Sequence, residues 1–435
     1  TPELSFAVRH LGAAGGVMIT ASHNPPEYNG YKIYNSEGCQ CGLDETARVI
    51  ECISAVGDPL DIRSLSIDEA NGLIAILDGS IDEEYYRAVE AISLRRVNTG
   101  DLRVVYSPQH GTGNIPVRHV LADLGCDVVP VEKQCTPDPD FSATKSPNPE
   151  SPLAYEAALE LADKVNADIV ITTDPDCDRL GVAARDSNGT LKLMTGNQSG
   201  AVLIEYILST HRSRGTMPER AVMVNTIVTS DLGDRICESY GVKVEKTLTG
   251  FKFIGERIAR HLAMHDANYV FGYEESYGCL IGDFVRDKDA VQASLMLCEA
   301  AAYYKEHGKT LIDVLGELYA RFGFYLDTQS NFFFRGADGQ KKIAALTAGL
   351  RREHPTEVAG AKLKRMEDYT SEETQAEGFP SSDVLRFVFN DGCWVAVRPS
   401  GTEPKIKFYY CVRADDEAAA KEKLAALKAA FEPRD

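Results

Sequence analysis

No two cysteines stand in a C-x-x-C pair, and no apolar run approaches the roughly 20 residues that a membrane span needs. Each shortage excludes something. Without C-x-x-C spacing, neither a zinc knuckle nor a dithiol redox site is indicated. The 11 cysteines, odd in number and scattered except for Cys39-x-Cys41, read as reduced thiols. Without a long apolar run or a signal-peptide pattern, the expected location is the cytoplasm. Positive charge is also short, with 46 Lys and Arg against 65 Asp and Glu, a net −19. A chain so acidic repels phosphate polymers and anionic lipid, so neither nucleic acid nor membrane is expected as a partner. A small phosphorylated ligand is still admissible if basic residues gather locally. They do, at Lys32, Arg179, Arg286 to Lys288 and Arg398 to Lys405.

At 435 residues and 47.6 kDa the chain exceeds one ordinary core. Strand and helix patterns alternate up to about residue 324, which implies βαβ units and a mainly parallel sheet. Longer strands with two helices follow. The predicted fold is therefore three consecutive mixed α/β domains, the first incomplete, and a smaller α+β C-terminal domain. The blocks are placed at 1–93, 94–214, 215–324 and 325–435. The oligomeric state is not legible.

Five stretches carry chemistry. The first, T-A-S-H-N-P-P-E-Y-N-G-Y-K over residues 20–32, follows the apolar run at Val17 and presents Ser22, with His23 beside it and Lys32 ten residues on. A hydroxyl, an imidazole and an ammonium are the parts of a phosphate-handling nucleophile, although Ser, Asn and Pro are also ordinary turn residues. The second follows the strand-like run Ile169–Thr173 and contains Asp174, Asp176, Asp178 and Arg179. In an extended segment these three carboxylates alternate onto one face, where they repel unless a cation lies between them; hard oxygens near phosphate favour Mg²⁺. An EF-hand loop is excluded, since its sixth and twelfth positions are Arg179 and Arg185 here. A rival reading makes Asp174 the nucleophile of an aspartyl-phosphate phosphatase, with Asp176 as acid/base; the third carboxylate favours a metal cage instead.

In the third block, Glu274 and Ser276 lie between glycines and suit neighbouring sugar hydroxyls, and Arg286 and Lys288 come shortly after as two cations. In the fourth, Arg398, Ser400, Gly401 and Thr402 combine a bidentate cation, two hydroxyls and a glycine turn, which suits an anion nest.

Taken in order, T-A-S-H-N-P with N-G-Y-K, D-P-D-x-D-R, G-x-E-E-S and R-P-S-G-T-E-P resemble the α-D-phosphohexomutase family over essentially the whole chain, most closely its phosphoglucomutase and phosphopentomutase-like branch. The resemblance implies that Ser22 carries a phosphoryl group and that Lys32 is a general acid/base; to act as a base, Lys32 would need its pKa lowered, by Arg179 and the metal. It implies Mg²⁺ on Asp174, Asp176, Asp178 and the phosphoserine. Glu274 and Ser276 then grip the sugar, and Arg398, Ser400, Gly401 and Thr402 hold the resting phosphate. Thr249, Gly250 and Lys252 match the loop that helps select the sugar and are closer to glucose-type members. The implied activity interconverts glucose 1-phosphate and glucose 6-phosphate, with glucose 1,6-bisphosphate as intermediate and activator; pentose, mannose and bisphosphate-forming variants are alternatives. The family's members also begin with roughly a hundred further residues. Without them, the first sheet is expected to lack strands and expose apolar edge surface, leaving this chain poorly stable or inactive.

Overall fold

Apolar, β-branched runs form three sheets and one antiparallel ribbon in the computed structural model, which describes residues 1–58, 60, 62, 64–334, 338–400 and 404–433. The ribbon joins β1 (Gly15–Ile19) to β2 (Tyr31–Asn35), with Met18 opposite Lys32. Three of its apolar side chains remain open to solvent, Ile19 at 75% exposed and Val17 and Tyr31 each at 56%, and the helix Leu43–Ala55 buries none of its residues.

The second sheet contains β3 (Arg103–Ser107), β4 (Asp127–Pro130), β5 (Ile169–Thr173), β6 (Leu180–Arg185) and β7 (Leu191–Met194), in the order β4-β3-β5-β6-β7. β3 runs parallel to β4 and β5, whereas β5, β6 and β7 are successively antiparallel. The expected mainly parallel sheet is therefore mixed here. No helix separates β5 from β6; the chain reverses within Asp174–Arg179, and a reversal that short returns an antiparallel neighbour.

The third sheet orders β8 (Ala221–Thr226), β9 (Lys243–Thr247), β10 (Asn268–Tyr273) and β11 (Cys279–Leu280) as β11-β10-β8-β9, with β10, β8 and β9 parallel. The helix Ala290–Glu306 is buried at fourteen of its 17 residues, so it belongs to the interior rather than to one face of one sheet. It shares a single apolar cluster with Val104 and Ile171 of the second sheet and Val222 and Phe271 of the third.

The last sheet is six-stranded and antiparallel among the pairs described. It comprises β12 (Phe324–Phe333), β13 (Glu357–Val358), β14 (Ala361–Asp368), β15 (Leu385–Phe389), β16 (Trp394–Pro399) and β17 (Lys405–Ala414). Ile343 and Leu350 of one helix and Leu427 and Phe431 of another join its core, as an α+β domain requires. Among the described residues, no helix is long and apolar enough to cross a membrane.

A buried carboxylate fixes the chain where it enters the second sheet. Glu299 accepts hydrogen bonds from the Leu94 N–H (2.9 Å), the Arg95 N–H (2.9 Å), the Tyr206 hydroxyl (2.7 Å) and the Ser93 hydroxyl. Replacing it with Ala strands the buried Tyr206 hydroxyl and the part-buried donors of Ser93, Leu94 and Arg95, so Glu299→Ala is expected to lose about 3 kcal/mol of stability, read as a lower urea midpoint. An unchanged midpoint would show that water satisfies those donors.

Candidate active site

Ser22 follows β1 in a turn stabilised by the Ser22 N–H donating to Thr20 Oγ1 (2.8 Å) and the Asn24 N–H donating to Ala21 O (3.1 Å). Its backbone is left-handed, with φ 55°. A non-glycine residue held there costs free energy, and such strain gathers at functional positions. The Ser22 hydroxyl lies 3.0 Å from Asp174 Oδ2 and 3.1 Å from His23 Nδ1. His23 is kept neutral, its pKa pushed down to about 4 by burial and then by the Arg179 guanidinium.

The three aspartates converge, though not by alternating along an extended strand. Asp174–Arg179 is a tight reversal in which Asp174 Oδ1 accepts from the N–H groups of Asp178 and Arg179, both at 3.0 Å, and Cys177 is left-handed with φ 59°. This turn gathers the carboxylates so that their ligand oxygens lie within 4.8 Å of one another. Asp176 Oδ1 and Asp178 Oδ1 are buried without a hydrogen-bond partner. Enclosed anionic oxygens left unpaired fit a small divalent cation, with Asp174, Asp176 and Asp178 as hard ligands and Ser22 Oγ within reach.

Two lysines from other parts of the chain already offset some of this charge. Lys32, on β2, donates to Asp176 Oδ2 (2.7 Å) and Asp178 Oδ2 (2.6 Å). Lys288 Nζ lies 3.2 Å from Asp178 Oδ2 and 3.2 Å from Asp287 Oδ1. Burial pushes the Asp178 carboxyl up, but Lys288, Lys32 and Arg179 outweigh it and hold Asp178 below the usual carboxylate range. Asp174 is driven the other way by burial, then Asp178 and Asp176. The protein's own groups do not lower the Lys32 pKa. Burial would lower it, but the fields of Asp178, Asp176 and Asp287 outweigh burial and raise it above the ordinary lysine value. These carboxylates thus hold Lys32 as an ammonium.

Ser22, His23, Lys32, Asp178, Arg179, Thr249, Gly250, Lys252, Glu274, Ser276, Lys288 and Arg398 line one cleft of about 740 Å³. Asp174 and Asp176 lie beneath its floor, fully or nearly buried. Ser276 donates to Glu274 Oε1 at 3.0 Å, which fixes the loop that faces this space. Arg286 is not brought to the cleft. Its backbone N–H donates to Ser5 Oγ (2.9 Å), and its guanidinium is buried against Val285 O, where burial and then Arg9 lower its pKa to about 10. Residues 282–287 form bends and turns rather than a strand, so the period of two that would put both cations on one face does not hold, and of the two Lys288 lines the cleft. The Ser400 N–H donates to Lys405 O (2.8 Å); Gly401 and Thr402 lie outside the described residues.

Sequence reasoning missed Glu150, Glu275, Gln329, Lys407 and Tyr409, all on the cleft wall. Lys405, Lys407 and Tyr409 share one face of β17 by the period of two, a signal that could have been read. Glu275 accepts from Thr226 Oγ1 (3.2 Å) and Thr229 Oγ1 (3.3 Å), and burial and then Glu274 push its pKa up to about 7.

Comparison with known proteins gives a consistent result. Models for phosphoglucomutase/phosphomannomutase α/β/α domains I, II and III match residues 1–58, 83–189 and 195–322, and that for the C-terminal domain matches 351–429. A phosphoglucomutase of Staphylococcus aureus strain MRSA252 is 40% identical over 437 residues, covering 98% of this chain and 78% of the relative. Among solved structures, the Paramecium phosphoprotein pp63/parafusin, a phosphoglucomutase in its open form, aligns with a TM-score of 0.71 at 18% identity, covering 97% and 79% of the two chains. Aspergillus fumigatus N-acetylphosphoglucosamine mutase, in complex with GlcNAc-6P and magnesium, aligns at 0.55 and 16%, covering 99% and 93%. At those identities the structural likeness concerns the fold.

The folded state holds a proton on Glu275 that the unfolded chain releases, so stability should fall as pH rises between the ordinary 4.5 and about 7. Glu275→Gln is expected to flatten the pH dependence of Tm across that window and to exceed the wild type in Tm at pH 8. Parallel pH profiles for the two proteins would refute this.

Proposed function

Because the chain belongs to the phosphoglucomutase/phosphomannomutase family, we propose that it interconverts glucose 1-phosphate and glucose 6-phosphate through a phosphoserine at Ser22 and a glucose 1,6-bisphosphate intermediate. The observation that carries this reading is the Ser22 hydroxyl standing 3.0 Å from Asp174, although the two residues are 152 positions apart in sequence. In the forward half-reaction a sugar hydroxyl attacks the Ser22 phosphorus, the phosphorus–Ser22 oxygen bond breaks, and glucose 1,6-bisphosphate results. After the bisphosphate turns over, the Ser22 oxygen takes the other phosphoryl group and the product monophosphate leaves.

Arg398, with Ser400, Gly401 and Thr402, would anchor the phosphate not in transit, and Glu274 and Ser276 would hold sugar hydroxyls in both orientations. Thr249, Gly250 and Lys252 border the same space and bear on which sugar fits. Lys32, held protonated, suits donation to the departing oxygen. Mg²⁺, when bound by Asp174, Asp176 and Asp178, supplies charge neutralisation on the transferring group. Positioning and electrostatics then account for most of the catalysis. A cytoplasmic location and a phosphorylated Ser22 belong to this reading, with the four blocks bounded near residues 93, 214 and 324 bringing the phosphoserine, metal, sugar and phosphate loops in turn.

The rival phosphatase chemistry is disfavoured by Asp174 itself. Its Oδ1 is taken by two backbone N–H groups and its Oδ2 by Ser22, and the side chain is buried, so neither oxygen is free for in-line attack.

Incubation with labelled glucose 1,6-bisphosphate should place acid-stable label on Ser22 and none on Ser22→Ala; hydroxylamine-labile label would instead indicate an acyl phosphate. Lys32→Met should lower kcat by roughly 100-fold in a coupled assay. Unchanged turnover would remove Lys32 from the acid role. Glucose, mannose, ribose and glucosamine 1-phosphates compared side by side should rank glucose first.

A further inference from the structure

Residues 136–151, between β4 and the second sheet's following helix, form no regular structure, yet side chains tie them down along their length. His110 Nδ1 lies 2.8 Å from Thr136 O, and its Nε2 accepts from the Ala143 N–H at 3.2 Å, so the proton sits on Nδ1. Gln134 donates to Ala143 O (2.8 Å), and Asp138 accepts from the N–H groups of Asp140 (3.0 Å) and Ser142 (2.9 Å). Tyr155 donates to Pro149 O (3.0 Å) and the Glu150 N–H to Asn148 Oδ1 (2.9 Å). Irregular backbone fixed by so many side chains is built to place something, and what it brings to the cleft is the Glu150 carboxylate.

Glu150 Oε1 accepts from Arg179 Nη1 at 2.7 Å, and Oε2 accepts from Gln329 Nε2 of β12 at 3.4 Å. Arg179 closes the aspartate turn. Its Nε lies 3.9 Å from Asp178 Oδ1 and is buried without a hydrogen-bond partner, although its guanidinium acts on His23, the neighbour of Ser22. A guanidinium is a rigid planar fork, so fixing one N–H fixes the direction of the others. A buried donor left unpaired at that position suits an oxyanion arriving beside Ser22.

From this geometry, and resting on the mutase reading above, we infer that Glu150 is a positioning residue for phosphoryl transfer: it holds one arm of Arg179 so that the remaining donors face the phosphoryl group on Ser22. Through Gln329 the same carboxylate ties this alignment to the wall contributed by the last sheet. Glu150 does not touch the reacting atoms; it acts through Arg179.

The test compares the wild type with E150Q, E150D and R179Q, and with the double variant E150Q/R179Q. The readouts are steady-state kinetics with glucose 1-phosphate, single-turnover label transfer from glucose 1,6-bisphosphate to Ser22, and Tm. E150Q should lower kcat and the label-transfer rate by roughly 30- to 100-fold, with KM within about threefold of the wild type. E150D should recover most of that loss, with Tm close to the wild type in both variants. In the R179Q background, adding E150Q should cost less than about threefold in label transfer, because the partner it acts through is gone. The inference is overturned if E150Q transfers label at the wild-type rate, if it raises KM with kcat unchanged, or if its cost is the same with and without Arg179. Absence of sugar-phosphate turnover in the wild type would sink the mutase reading alone; label transfer to Ser22, measured separately, decides the role of Glu150.

Discussion

Three carboxylates share a space a few ångströms across, and the rest of the site is arranged to make that tolerable. Ligand oxygens within 4.8 Å repel by about 3–4 kcal/mol per ionised pair at an effective dielectric constant of about 20. Compensation comes from a distance along the chain. Lys32 arrives from the ribbon, 144 positions before its partner Asp176, and Lys288 arrives from beyond the third sheet. Removing either would leave a buried charge without its counter-ion, so bringing these parts of the chain together and neutralising the trio are one event.

Backbone contacts carry the same logic. The reversals that end β5 and β10 pair with each other: Arg179 bridges to Gly278, and the Leu180 N–H donates to Tyr277 O at 2.9 Å. The helix Ala290–Glu306 begins against the aspartate turn, its Ala290 N–H donating to Cys177 O at 3.2 Å. Both loops leave the ends of their strands on the same side, the usual place for ligands in α/β sheets. β16 and β17 bring positive charge to the same cleft through Arg398 and Lys407. Lys407 is pushed below the ordinary lysine range by burial, then by Lys405, with Arg398 close by. The cleft thus combines the aspartate trio beneath its floor with Arg398 and Lys407 on its wall, where Glu150 and Glu275 offset part of their charge.

What could be read from the sequence was whatever the local chain determines. Ser22, the aspartate turn and the Glu274 loop each follow an apolar strand, and strand, turn and hydroxyl or carboxylate chemistry are written within ten residues. The C-terminal α+β block was legible for the same reason, from the long strands β15 to β17. β12 and β14 were not, because their half-exposed residues lack clean alternation. The convergence of the aspartates was anticipated, though by the wrong geometry, since two backbone donors to Asp174 Oδ1 bend the segment. The carboxylates that face Lys32 left no local signal, because they are distant in sequence. Arg286 was assigned to the cleft by adjacency to Lys288, and only Ser5, 281 positions earlier, reveals that its backbone is turned inward. Glu150 gave no local signal at all.

Position 278 has only a hydrogen for a side chain, and a β-carbon there would stand 2.0 Å from Lys288 Cδ and 2.6 Å from its Cγ. The aliphatic stem of the lysine occupies the volume that any other residue would claim. The two sites are therefore coupled: a larger residue at 278 requires the Lys288 stem to move or shorten, while its ammonium is tied to Asp178 and Asp287. Any substitution at this corner therefore bears on a charge at the trio, and the glycine is fenced in by a lysine ten residues away rather than by its own backbone.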